Sequence, residues 1–400
     1  MQVERVTRTV GVEEEMLLVD IHSGRPRSAS GQVLVRSARR QRSEPVDETG
    51  RATGAVHGAV EGELQRQQIE THTAPVPDLG ALAAEVRLWR GRAIAAARSS
   101  GSSVAALGTS PLPVRPEPVE SPRYAWIQDR FGLTAREQLT CGLHVHVSVE
   151  SDEEGVAVLD RTRVWIPVLL ALSANSPYWQ GNDSGFASFR SQAMSRWPTS
   201  GPTDVFGVAA AYHRLVREMT GTGVLLDAGM LYLDARLSHH YPTVEIRAAD
   251  VCPTIAETVV LAGLCRALVE TAAREWRADP RPPVRPYRDG EPAGNALEVP
   301  TALVRLASWQ AGREGLGGVL LDPLSSRPRP AAEVVGALVD HVRSALVDAG
   351  DLEVVRAGLA WVLAHGTGAE RQRRMLDHTG RLVDVVAHAV HATAGQDEPS

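Results

Sequence analysis

The alternation of apolar and polar positions predicts strands in the first part of the chain and helices in the last. In Gly142-Leu143-His144-Val145-His146-Val147-Ser148, Leu143, Val145 and Val147 fall on one face and His144, His146 and Ser148 on the other, because strand side chains alternate with period two. Thr243-Val244-Glu245-Ile246-Arg247 repeats the pattern, with Val244 and Ile246 opposed to Thr243, Glu245 and Arg247. In Thr9-Val10-Gly11-Val12-Glu13-Glu14-Glu15, Glu13 and Glu15 share a face and Glu14 points away. Residues 7–75 read as strands joined by polar loops, with 36–58, rich in Arg, Ser, Glu and Gly, as a long exposed connection. Leu79, Leu82, Val86 and Trp89 at helical spacing behind the N-cap residue Asp78 predict a helix to about Ser99. A strand is predicted over 104–108, helices over 160–174 and 205–220, and two strands within 231–249 around a turn at 239–242. Thr254 with Glu257 makes a capping-box start for a helix reaching about Arg277. After a Pro-rich link at 280–286 the pattern is helical to Ala394, punctuated by Gly350, Gly366 and Gly380 as helix ends.

Strands first and helices last predict an α+β fold rather than repeated βαβ units. The expected organisation is a single domain over 1–400: a strand-rich catalytic part (1–253), a helical part packed on it (254–394) and a short tail (395–400). The segment 176–202 has no clear period but five aromatic side chains, which predicts an ordered, functional loop rather than a linker. Val334, Leu338, Val342 and Leu346 form an apolar helical stripe. Core is the expected use, with a homodimer surface as the alternative.

Composition removes several function classes. With a formal net charge of −6 and no basic stripe, a nucleic-acid partner is not expected. The longest apolar stretch, 165–172, is too short to span a membrane, and no signal-peptide pattern opens the chain. Three cysteines without metal-ligand spacing make no disulfide framework, so a cytoplasmic setting is expected. The 42 basic residues are all arginine. That eliminates a P-loop lysine, a Schiff-base lysine and the lysines an ATP-grasp ligase places on nucleotide phosphates. Phosphate would have to be handled by arginine, backbone amides and metal ions.

Within this frame, Glu13 and Glu15 are a reasonable half of an oxygen-ligand Mg²⁺ site, against the plain alternative of a solvated strand start. Glu63 and Glu70 have opposite parity and converge only if a bulge or turn intervenes. His144 and His146 could chelate a metal and, with Glu150, would frame a metal-dependent hydrolase; contact with phosphate or a substrate carboxylate is the better expectation. Arg190, Ser191 and Arg196, beside Trp197, suit anion recognition, because guanidinium forks match phosphate and carboxylate. Glu245 and Arg247 share a strand face, which is ordinarily only an ion pair.

Taken in order, Gly11–Glu15, Gln68-Ile69-Glu70-Thr71, Gly142–Val147, Ser188-Phe189-Arg190-Ser191-Gln192, Arg196-Trp197-Pro198, 244–254 and His365-Gly366-Thr367-Gly368-Ala369 make the chain resemble the glutamate–cysteine ligase type 2 family of bacterial carboxylate–amine ligases. The resemblance covers nearly the whole chain. It implies a glutamine-synthetase-like catalytic fold, an antiparallel sheet curved into a funnel that binds ATP and Mg²⁺ or Mn²⁺. It also implies formation of a γ-glutamyl amide from small-molecule substrates, glutamate and cysteine by default, through an acyl phosphate. By motif position Glu13, Glu15, Glu63, Glu70 and Glu245 would be the metal ligands. Arg247, Arg190 and His144 would be the catalytic groups, and His146, Arg196 and Ser191 the nucleotide-side groups. Asn182 stands where the family pattern leads one to expect arginine, which puts that substrate contact in question.

Overall fold

A computed structural model describes residues 7–42, 58–280 and 291–395. In chain order its elements are β1 (Val10–Asp20), α1 (Ser30–Arg42), β2 (Ala59–Gly62), β3 (Gln68–His72), α2 (Leu79–Arg98), β4 (Ser102–Ala105), α3 (Pro122–Phe131), α4 (Leu133–Glu137), β5 (Gly142–Ser148), α5 (Asp152–Thr162), α6 (Ile166–Ser173), β6 (Tyr178–Trp179), β7 (Asn182–Asp183), α7 (Phe189–Met194), α8 (Ala209–Gly221), β8 (Ala235–Leu237), β9 (Thr243–Asp250) and α9 (Ile255–Ala278). They continue with α10 (Thr301–Glu314), β10 (Val319–Leu321), β11 (Pro328–Pro330), α11 (Ala331–Ala349), α12 (Leu352–His365), α13 (Gly368–Thr379) and α14 (Leu382–Thr393).

Seven strands form an antiparallel sheet in the order β2-β3-β1-β5-β9-β8, with β4 added to β1. The fold is α+β. One sheet face carries Val10, Val12, Leu143, Val145, Val147, Val244 and Ile246 into a buried cluster shared with α2, α5, α6 and α9. That cluster also takes Val334, Leu338, Val342 and Leu346, all fully buried, so the stripe on α11 is core within this chain. The same alternation that buries these residues turns the charged ones to the opposite face, where they line a cavity.

Local signals behave as their chemistry predicts. Asp78 caps α2 by accepting from the Ala81 N–H, and Thr254 and Glu257 form the full capping box of α9. Gly350, Gly366 and Gly380 end α11, α12 and α13. Four expectations need correction. The helix expected over 160–174 is two helices, α5 beginning earlier behind the N-cap Ser151 and α6 starting beyond Trp165, because Pro167 cannot donate to the preceding turn. Part of the expected loop at 36–58 is helical, since α1 runs to Arg42; residues 43–57 lie outside the described residues. Its apolar face is narrow, which hid the period. The helical tail is interrupted by the β10–β11 hairpin. The irregular stretch at 176–202 contains the β6–β7 hairpin and α7. Most of the Pro-rich link lies outside the described residues.

Candidate active site

Register brings the charged residues together. Glu13 of β1 sits opposite His72 of β3 on one side and His144 of β5 on the other. Glu15 faces Glu70, and His146 faces Glu245, which in turn faces Arg236 of β8. Residues directly opposite in an antiparallel pair share a face at close range. Four adjacent strands therefore deliver four glutamates and three histidines to one patch, and the fifth, β8, adds an arginine.

The contacts are short. Glu13 lies 3.1 Å from His144 Nδ1, 3.2 Å from His72 Nδ1 and 3.2 Å from His146 Nε2. His72 Nε2 is 3.3 Å from Glu70. Burial opposes charge on Glu13, yet the close approach of the His144, His146 and His72 imidazoles holds its carboxyl well below the usual carboxylate range. Burial likewise works against a charged His72, but the neighbouring Glu13 and Glu70 carboxylates raise it to about 11. Burial also opposes the Glu245 charge, and Arg247 and Arg236 overcome it, lowering Glu245 to about 2. Arg236 Nε is 2.7 Å from Glu245, and Arg247 pairs with the same carboxylate.

Glu63 explains the parity problem. It follows β2 in the turn leading to β3 rather than standing on a strand, so it joins Glu15 and Glu70 from the side. Burial, then the charges of Glu70 and Glu15, push its pKa well above the ordinary value. Three overlapping sets result: Glu13/His146/Glu245, Glu13/Glu70/His144 and Glu15/Glu63/Glu70. In each, one ligand atom per residue lies within 4.8 Å of the others. The all-carboxylate set suits a hard divalent cation, and the sets containing imidazole suit Mn²⁺ as well. Two buried ring nitrogens, His72 Nε2 and His146 Nε2, make no hydrogen bond of good geometry. Carboxylates this crowded fit divalent metal ions.

Arg190 roofs the patch from α7. It is buried and donates to the carbonyls of Ala248 (3.2 Å) and Arg247 (3.3 Å). Gly142 makes room for it: a Cβ there would lie 2.2 Å from Arg190 Nη2. Behind it, buried Asp250 accepts from Ser176 Oγ (2.6 Å), Ser188 Oγ (2.8 Å) and the Asn175 N–H (2.9 Å). The motif at 365–369 feeds this network. Gly368 lets α13 approach until a Cβ would sit 2.2 Å from Asn175 Oδ1, and Gln372 donates to that oxygen at 2.7 Å.

Glu13, Glu15, Glu63, Glu70, His144, Arg190 and Arg247 line a cavity of about 300 Å³, with Tyr124 and Tyr232 beside them. Glu245 and His146 are outside that lining but contact two of its members, Arg236 and Glu13. Ser191 instead lines a neighbouring cavity of about 330 Å³. Arg196 is outside both linings, paired at 2.7 Å with exposed Glu137. Glu150 is largely exposed and its nearest ion partner is Arg277 at 3.8 Å, so the His144/His146/Glu150 triad of the hydrolase alternative is not assembled. His72, Arg236 and Asp250 belong to the site although the sequence pattern does not single them out. The parity of His72 with Glu70 was available; the pairing of Arg236 with Glu245 required the register.

The sequence pattern of Glutamate-cysteine ligase family 2 matches residues 9–388. A Streptomyces avermitilis protein provisionally named glutamate–cysteine ligase 2-1 is 49% identical over 388 residues, 97% of this chain and all of its own length. A Streptomyces coelicolor protein with the same kind of provisional name, glutamate–cysteine ligase 2, is 49% identical over 96% of this chain and 99% of its own. Among solved structures, the glutamate–cysteine ligase of Francisella tularensis in complex with AMP superposes with a TM-score of 0.66 at 12% identity, covering 99% of this chain and 91% of that one. The bifunctional glutathione synthetase of Pasteurella multocida gives 0.64 at 15% identity, over 97% of this chain and 52% of that one. The shared architecture is the glutamine-synthetase-like fold, its curved antiparallel sheet forming a funnel. Matched along nearly its whole length, the chain belongs to the glutamate–cysteine ligase family 2, enzymes of the carboxylate–amine ligase type.

Proposed function

We propose that this protein joins a glutamate-like carboxylate to an amine at the expense of ATP, through an acyl phosphate. The observation that supports this best is the set of five crowded glutamates lying beneath two arginines in a chain without lysine. A carboxylate is a poor electrophile, so it must first take the γ-phosphoryl group of ATP, and two anions must then meet. Glu13, Glu15, Glu63, Glu70 and Glu245 would hold divalent cations, which when bound screen that repulsion and polarise phosphate oxygens. Arg247 and Arg190 face the same space and would neutralise charge on the transferring group without losing a proton themselves. His144, held by Glu13, would orient the substrate carboxylate. His146 and Ser191 belong to the nucleotide side of this scheme. Arg196 would reach nucleotide only by leaving Glu137. The amine then attacks the acyl carbon, phosphate departs, and the amide nitrogen gives up a proton.

ADP release with Mg²⁺-ATP and glutamate, with and without an amine, tests the scheme. Amine-dependent ADP release that falls roughly 10²–10³-fold in Glu245→Gln is expected, the size of one lost electrostatic group in a phosphoryl site. Nucleotide binding without turnover for any donor would sink the proposal.

A further inference from the structure

A cavity of about 210 Å³ lies among α12, α13 and α14 and shares no lining residue with the two described above. Its inner walls are small and apolar: Ala106, Pro253, Ala389 and Ala392 are all buried. An apolar cavity of about 150 Å³ holds benzene, so this one has room for a ring with a substituent. The outer end is cationic. No Asp or Glu among the described residues lines the cavity, and Arg374 stands exposed at its mouth. Arg371 is matched by Glu257 at 2.8 Å. Arg374 gives a donor to the His365 carbonyl and forms no ion pair with a described residue, which leaves its charge for an anion.

Gln372 marks the inner end and is only 4% exposed. Its Nε2 donates to the carbonyl (3.0 Å) and the Oδ1 (2.7 Å) of Asn175, which fixes the way the amide points. Its Oε1 is buried without any hydrogen-bond partner. Turning the amide over would set Oε1 against two Asn175 oxygens, so this acceptor stays unpaired until a donor enters the cavity. The same amide leads to the carboxylate-lined site. The Asn175 N–H donates to Asp250, and Ser176 Oγ both donates to Asp250 (2.6 Å) and accepts the Arg190 N–H (3.0 Å).

We propose that this cavity is a regulatory site for a ring-sized organic anion, its negative group on Arg374 and a hydroxyl or amino donor on Gln372 Oε1, and that the bound molecule raises turnover. A donor on Oε1 favours the present amide orientation over the reversed one. It thereby holds Asn175, Asp250 and Arg190 in the arrangement the site uses. The binding half of this proposal stands alone; the effect on turnover rests on the ligase reading.

The test is calorimetric binding to the full chain of three matched probes: 4-hydroxybenzoate, benzoate, which lacks the donor, and 4-hydroxybenzamide, which lacks the charge. 4-Hydroxybenzoate should bind once per chain, and each of the others roughly 2- to 10-fold more weakly, the size of one net hydrogen bond or exposed ion pair. Ala389→Leu fills the cavity and should abolish binding of all three. Arg374→Gln, at an exposed position, should erase the preference for hydroxybenzoate over hydroxybenzamide while keeping that over benzoate. No binding, or binding that neither variant alters, would overturn the proposal; if Ala389→Leu does not fold, Arg374→Gln decides. Saturating 4-hydroxybenzoate should then raise kcat for amine-dependent ADP release roughly 2- to 10-fold, with a midpoint that follows the binding constant in Arg374→Gln. Binding with unchanged turnover would overturn the regulatory half. A protein that binds the probe yet releases no ADP with any donor and amine would defeat the ligase reading and leave the binding site standing.

Discussion

Glu13, Glu14 and Glu15 are consecutive glutamates on one strand, yet they live in opposite electrostatic worlds. Glu14 points to the apolar face and is almost fully buried. There it takes Arg90 Nε at 2.8 Å and Nη2 at 2.6 Å, with Thr258 Oγ1 donating at 2.7 Å. Arg90 spends its remaining donors on the carbonyls of Cys252 and Pro253. One charge meets one charge, and both carboxylate oxygens accept hydrogen bonds. Glu13 and Glu15 face a patch where glutamates outnumber their arginine partners and histidines are shared among carboxylates. A buried ion pair with all groups satisfied ties β1 to α2 and α9. A buried excess of one sign is a place prepared for something else.

The comparison breaks first at Arg90. Arg90→Met leaves Glu14 charged and alone in the core, and unfolding free energy should fall by about 3–5 kcal/mol, measurable by denaturant titration. A loss below about 1 kcal/mol would show that the pair is not what joins these elements. On the other face the sign reverses. Glu70→Gln removes one of the crowded charges, so the metal-free protein should keep or raise its melting temperature while losing most of its Mn²⁺-induced thermal shift. That shift is worth about 2.7 kcal/mol at a hundredfold excess over Kd. An unaltered Mn²⁺ response would remove Glu70 from the metal set.

Asp234 is a third case, a carboxylate with no hydrogen-bonded cation. Burial lifts its pKa to about 6, with Arg190 and Arg305 pulling the other way. The unfolded chain therefore ionises first as pH rises. The contribution of a protonated Asp234 is fully present below about pH 4 and is lost as pH climbs through 6. Asp234→Asn should flatten the fall in stability over that window. An unchanged slope would place the carboxylate in water. The smallest effect belongs to Arg196, whose exposed pair with Glu137 should contribute about 0–1 kcal/mol. Arg196→Ala should leave the melting temperature within about a degree, and the ATP KM reports whether the guanidinium leaves Glu137 to meet nucleotide.

Much of the site was legible because strands obey parity. Glu13 and Glu15, His144 and His146, and Glu245 and Arg247 each separated from their apolar neighbours by counting in twos, and each lies on the charged face. Glu63 was not decidable this way, because it stands in a turn whose geometry is set by the pairing of β2 with β3. The break between α5 and α6 was visible in Pro167 and was overridden by a continuous apolar run. Glu150 followed a plausible metal spacing but faces solvent, since the strand ends before it.

Alternation, caps and glycine stops are local: they depend on a residue and its near neighbours, so the chain by itself determined the strands, the capped helices and which side of each strand is polar. Convergence is not local. Which strands are adjacent, that Glu13 lies between His72 and His144, that Glu14 finds Arg90 76 residues away, and that Asp234 and Arg305 share a cavity were decided only when the sheet chose its order and register. These contacts join residues far apart in sequence, and no local preference encodes a distance between them.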